Sequence, residues 1–143
     1  MKELQMRKAR TLDSPALARM NYDLIRDSGH RNPMKLPQLT RRMRGWIKKG
    51  EYQVCIFEAG GETIGYCVYR KEPEFTYIRQ FFVARKLRRK GFGREAFGMM
   101  RKLHWIEAPR LRMDVLVDNT PAIRFWRSVG FADYCLTMER ENL

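Results

Sequence analysis

The run Arg88-Arg89-Lys90-Gly91-Phe92-Gly93 is the stretch of this chain best suited to chemistry, and the chemistry is the capture of phosphate. A helix start presents unpaired backbone N–H groups and the positive end of the helix dipole. Two glycines let an anion approach those groups, and the preceding cations supply charge. Three phosphate-binding readings have different spacings. A nucleotide triphosphatase loop is out, because no GxxxxGK[ST] occurs. Gly91-Phe92-Gly93-Arg94-Glu95-Ala96 fits the dinucleotide pattern G-x-G-x-x-G/A, with Asp114 about 20 residues on. Against that reading, the motif follows an antiparallel hairpin, too few residues remain for a doubly wound domain, and Asp114 falls within a strand.

The elements that must position this loop are legible on either side of it. Phe75 to Ala84 reads as a strand running straight into the loop, and Arg94 to Ile106 as a helix leaving it, with Ala96, Met99, Met100 and Leu103 inward. Upstream, Leu4 to Ala9 is half apolar. Asp13 or Ser14 then caps a helix whose first turn holds Pro15 and whose stripe is Leu17, Met20, Leu24 and Ile25, stopped by Gly29. Leu39, Met43, Trp46 and Ile47 mark a second helix ending at Gly50. Tyr52 to Glu58 and Thr63 to Lys71 are β-rich runs joined by Ala59-Gly60-Gly61-Glu62, a tight hairpin. Downstream come a strand over Arg110 to Val117, a short helix after Asp118-Asn119-Thr120-Pro121, and a last strand over Phe131 to Glu139.

Composition bounds the partners. With 143 residues, 44% hydrophobic and 31% charged, the chain is sized and mixed as one globular domain spanning 1–143. No window approaches the ~18 apolar residues of a membrane span and no secretory leader opens the chain, so a cytoplasmic protein is expected. The three cysteines, Cys55, Cys67 and Cys135, sit far apart in apolar runs and read as reduced core thiols. His30 and His104 are isolated, and no metal is expected. The net charge of +13 favours anionic partners. Lys35, Arg41, Arg42, Arg44, Lys48 and Lys49 carry one acid-free basic block on the second helix, and Arg85 to Arg94 carries another.

Arg88-x-x-Gly91-x-Gly93 after a strand ending Phe81-Phe82-Val83, with Asn119-x-x-Ala122-x-x-Phe125-x-x-x-x-Gly130-Phe131 downstream, resembles the Gcn5-related N-acetyltransferases (GNAT). The resemblance implies an α/β fold with a mostly antiparallel mixed sheet of six to seven strands flanked by about four helices, splayed between its fourth and fifth strands. It places acetyl-CoA in the splay as co-substrate, with its pyrophosphate on Arg88, Arg89, Lys90, Gly91, Phe92, Gly93 and Arg94. Free N–H groups of Phe82 and Val83 would then polarise the thioester carbonyl. Asn119 looks like the family's cofactor-arm asparagine, with helix capping as its other reading. Phe125 and Trp126 join the cofactor wall, with core packing the alternative for Trp126; Phe92 contacts adenine or packs.

The match departs from the family at the proton-transfer groups. Trp126 stands where a tyrosine often protonates the departing thiolate, and indole is no practical general acid. Tyr134 or Tyr77 would substitute, with a packed strand tyrosine the plainer reading of each. Asp114, on the fifth strand, is the base candidate if burial raises its pKa; an ion pair with Arg79 or Arg112 is the plainer reading, and water-mediated deprotonation a third. The implied reaction is direct transfer of acetyl to a primary amine. The basic second helix at the acceptor mouth favours an amine that also carries an anion over a polyamine or aminoglycoside. A homodimer is left open. The rival class is a basic module that binds nucleic acid or acyl-CoA without catalysis, against which stands the absence of aromatic interleaving or a recognition motif.

Overall fold

The computed structural model describes residues 3–88 and 90–142, so Arg89 lies outside the described residues. Strands β1 (Leu4–Lys8), β2 (Gln53–Ala59), β3 (Glu62–Lys71), β4 (Thr76–Val83) and β5 (Leu111–Arg112) form one sheet in that order. The first three pairings are antiparallel and β4–β5 is parallel, as a crossover through a helix requires. The helices are α1 (Ser14–Ser28), α2 (Leu36–Lys49), α3 (Phe92–Leu103) and α4 (Thr120–Ser128). The expected hairpin is β2–β3, and its turn residues Gly60 and Gly61 hold φ of 59° and 81°, conformations that a side chain disfavours.

Alternation along β2 and β3 buries both faces. Val54, Ile56, Tyr66 and Val68 point with Phe82 toward Leu17 of α1 and Met43 and Trp46 of α2. Cys55, Phe57, Cys67 and Tyr69 point with Ile78 toward Ala96, Phe97 and Met100 of α3 and Trp126 of α4. Two-sided burial explains why these strands read as near-continuous apolar runs. Cys55 and Cys67 face each other in register, both buried and free. Burial pushes the Cys55 thiol up to about 11 and that of Cys67 well above its ordinary value.

The structure corrects three expectations here. The sheet has five strands, not six or seven: only Leu111 and Arg112 pair within 110–117, and nothing within 131–139 is paired. Both segments have the composition of strands, but a strand needs a hydrogen-bonded partner and these find none among the described residues. Val117, Leu136 and Met138 are accordingly exposed. Cys135 is exposed as well, not a core thiol. Finally, Asp13 makes no side-chain cap on α1.

Asp13 instead receives two hydrogen bonds of 2.9 Å from Arg7 on β1 and one of 2.7 Å from the Arg10 amide, tying the first strand to the first helix. The bond from Arg7 chiefly holds the Asp13 carboxyl below its ordinary range; burial opposes this and the Arg10 amide assists. Because folding lowers this pKa, the stabilisation is complete above the unfolded value of 3.8 and is lost as pH falls through the native one. Asp13→Asn is expected to cost about 1 kcal/mol at pH 7, discounted for the part-exposed Arg7. Urea unfolding of both proteins should show that difference narrowing as pH falls below 3.8.

Candidate functional site

β4 and β5 pair only at Thr76↔Leu111 and Tyr77↔Arg112. From Ile78 to Val83 the β5 side of β4 has no strand partner among the described residues, so the sheet opens toward the end of β4. The opposite edge of β4 is held by β3 through Gly65↔Val83, and the Ala84 amide donates to Ile64 O at 2.8 Å. β4 carries a bulge at Arg79, since Tyr69 opposes Ile78 while Val68 opposes Gln80.

Strand alternation decides which backbone groups face the opening. The Phe82 carbonyl lies on the β3 side, so close that a Cβ on Gly65 would sit 2.1 Å from it. Val83 therefore faces the other way, and its carbonyl accepts a 2.8 Å bond from Arg88 Nε. Of the two amides expected at the splay, the Val83 amide faces the open edge; Phe82 is committed to β3, with its ring buried against Tyr66 and under the Arg88 guanidinium. By the same alternation the Phe81 amide shares the open side.

Gly91 begins α3 with φ of 83°, the left-handed region that glycine tolerates best. The first helical bond runs from Glu95 N to Gly91 O at 3.0 Å. Among the described residues, the amides of Phe92, Gly93 and Arg94 therefore have no backbone partner, and no side chain caps them. Gly93 has a different reason to be glycine. A Cβ there would meet Phe125 Cε1 at 3.2 Å and Val83 Cγ2 at 3.9 Å, so its absence lets α3 approach both.

The cations of the loop divide into fasteners and free charges. Asp27 near the end of α1 pairs with Arg85 and, at 2.9 Å, with Arg88, which also stacks on Phe82. Arg94 donates to Ser128 O and Oγ at 3.2 and 3.1 Å, joining α3 to α4. Lys90 is exposed at the helix start with no ion pair among the described residues. Arg88 and Arg94 thus hold the loop in shape, and the unpaired amides with Lys90 offer the anion contacts.

The far wall comes from α4. Asn119 Oδ1 accepts from the Ala122 amide at a long 3.4 Å, so the capping reading describes its present contact. Phe125 is half-buried, stacked 6.2 Å from Phe81 and set against Gly93. Trp126 shares Phe81 with it but is more deeply buried. It is 7% exposed and packs edge-on against Phe81, Phe97 and Phe131, which makes it a core residue in this structure.

Of the acid and base candidates, the structure brings two together. The Tyr77 hydroxyl donates to Asp114 Oδ2 at 2.9 Å where β4 and β5 part. Burial, then that bond, pushes the Tyr77 phenol up to about 12, so it stays a donor at neutral pH. Asp114 is exposed, and the burial expected to tune it is absent; neither Arg79 nor Arg112 pairs with it among the described residues. Tyr134 is not brought to the loop. It is 80% exposed, with the Arg112 guanidinium 4.8 Å over its ring and that same guanidinium 4.0 Å from the Phe75 ring, at the end of β4 remote from the loop.

An opened sheet edge beside a helix start with free amides suits an acyltransferase that holds a CoA thioester. The chain belongs to the acetyltransferase (GNAT) family, whose model matches residues 18–131. It is an N-acetyltransferase, and acetyl-CoA is its co-substrate.

Solved structures share the fold. A possible acetyltransferase from Clostridium difficile 630 is 16% identical at a TM-score of 0.79, over 98% of this chain and 97% of that one. A predicted acetyltransferase with acetyl-CoA from Clostridium acetobutylicum is 15% identical at 0.71, over 97% and 96%. The aminoglycoside N-acetyltransferase AAC(6')-Iy in complex with CoA is 11% identical at 0.77, over 100% and 97%. No curated protein sequence matches the chain. No helix among the described residues is long and apolar enough to cross a membrane.

Proposed function

We propose that this chain acetylates a primary amine, with acetyl-CoA lying along the open side of β4. Its pyrophosphate would lie on the start of α3, at the amides of Phe92, Gly93 and Arg94 and at Lys90. What carries this reading is the continuity of an unpaired β4 edge with a helix start whose amides also lack partners. Phe81, Val83 and Phe125 supply an apolar ledge for the arm between them, the Val83 amide meets that arm, and the Phe81 amide, nearer Tyr77 on the same open side, faces the thioester carbonyl.

A thioester is already activated, so positioning and a neutral amine are the main requirements. The amine nitrogen attacks the carbonyl carbon, the C–S bond breaks and CoA leaves as thiolate. The ammonium proton passes through ordered water to the Asp114 carboxylate, which Tyr77 orients four residues along β4 from Phe81, about 13 Å in an extended strand. Trp126 supplies no acid, so the thiolate takes its proton from water. A thiol of ordinary pKa near 8.5 tolerates this.

Thiol release from acetyl-CoA across a panel of primary amines tests the reading, with amide formation confirmed by mass. Asp114→Asn is expected to lower kcat by roughly tenfold to a hundredfold without changing acetyl-CoA affinity, and raising the pH should recover part of the loss. An unchanged kcat would assign deprotonation to solvent alone. Tyr77→Phe should have a smaller effect in the same direction.

A further inference from the structure

Arg42 of α2 and Arg79 at the β4 bulge share one aromatic ring. Their guanidinium carbons lie 4.6 and 5.0 Å from the centre of Trp46. Arg79 also lies 5.4 Å from the Tyr52 ring and donates to its hydroxyl at 3.1 Å. That oxygen already receives a 2.8 Å bond from Arg70, which Glu72 neutralises. No such neutralisation reaches Arg42 or Arg79: among the described residues neither has a carboxylate within ion-pair distance.

Holding two like charges against one buried ring, Arg42 half-buried and Arg79 exposed, has a cost that a counter-ion would relieve. Burial, then Arg79, draws the Arg42 pKa down. The donors are under-used as well. Arg42 Nη2 gives a 3.1 Å bond to Asn21 Oδ1, while Arg42 Nε and the amide nitrogen of wholly buried Asn21 are buried without partners.

The cluster lies on the α1–α2 face of the sheet, beside Gln80, which accepts from Tyr66 at 2.8 Å, and two residues along β4 from Tyr77. The opposite face packs against α3 and α4. We propose that Arg42 and Arg79 bind an oxyanion, carboxylate or phosphate, of the acceptor whose amine is presented to Asp114. This rests on the acetyl-transfer reading and narrows it: the acceptor is an amine that carries an anion, and polycationic amines are rejected by the same field.

The first measurement is a titration of inorganic phosphate with CoA saturating, so that the loop at Gly91 is filled, followed by tryptophan fluorescence. A saturable change is expected in the parent protein, and Arg79→Gln should weaken it by about tenfold or more. Arg79 is exposed, so this variant spares the core. The second measurement compares kcat/KM for phosphoethanolamine against ethanolamine and for β-alanine against propylamine. The anionic member should be preferred about tenfold or more, with Arg79→Gln abolishing the preference while acetyl-CoA affinity holds.

The two pairs tell phosphate from carboxylate. If none of these amines is acetylated, the fluorescence titration decides alone. No saturable response, a response unchanged in Arg79→Gln, or a preference for the neutral amines overturns the proposal. If calorimetry shows that CoA does not bind, the acetyl-transfer reading fails separately, and the phosphate titration is repeated in Gly91→Glu.

Discussion

Gly91→Glu is expected to weaken acetyl-CoA binding by roughly a hundredfold or more, about 2.7 kcal/mol. Two effects add. Gly91 holds φ of 83°, so any side chain strains the turn that aims the first amides of α3. Among the described residues nothing lies within 4 Å of a Cβ there, so packing does not exclude the new carboxylate, which stands where the pyrophosphate should bind. Gly91→Ala separates the terms: it keeps the strain and adds no charge, and its loss should be about tenfold. Calorimetry with acetyl-CoA reads both, and thermal melts should show both variants folded. Equal affinity in parent and Gly91→Glu would remove the cofactor from this loop.

Gly65→Val should destabilise the protein far more than Asp13→Asn does. Its Cβ would lie 2.1 Å from the Phe82 carbonyl oxygen and 3.1 Å from both Phe82 C and Val83 Cα. All three are backbone atoms of the neighbouring strand, so no rotamer change relieves the overlap, and β3 must separate from β4. The expected cost is about 3 kcal/mol or more, a fall of roughly 10 °C in Tm. Because Val83 lies on the open edge of β4 where the cofactor is expected, any folded Gly65→Val that remains should also bind acetyl-CoA poorly. Gly98→Ala is the control: a Cβ there meets nothing within 4 Å, and the change should stabilise α3 by about 0.5 to 1 kcal/mol. Thermal unfolding of both variants checks the pair, and a Gly65→Val melting with the parent would refute the close-approach argument.

What the sequence disclosed and what it hid divide along local and non-local lines. Gly29, Gly50 and Gly91 mark helix boundaries by their own backbone, and Asn119-Thr120-Pro121 marks the start of α4 by capping chemistry, so these are legible residue by residue. The division of labour among the loop arginines is not. Asp27 lies 61 positions from Arg88, and nothing in either neighbourhood announces the pair. The sharing of Trp46 by Arg42 and Arg79 joins α2 to β4 in the same way, and so does the bond between Tyr77 and Asp114, 37 positions apart. Even and odd positions of β4 can be told apart only once β3 fixes the register, which is why Phe82 and Val83 both look free in the sequence.

The expected strand that shrinks to two residues and the one that does not form have a related reason. Residues 113–117 and 131–139 have the composition of strands, but pairing is a property of two segments, and the opening beside β4 removes the partner from the first. Tyr134 follows its segment away from the loop and onto Arg112. Trp126 does lie on α4, but its side of the helix follows from the Phe81, Phe97 and Phe131 rings that collect it.

If acetyl-CoA meets the start of α3 and the open edge of β4, amide hydrogen exchange with and without acetyl-CoA reads that contact residue by residue. Protection should rise at Phe92, Gly93 and Arg94 and at Val83, with little change along β1 and β2. Protection confined to other elements, or no change at saturating acetyl-CoA, would contradict the account.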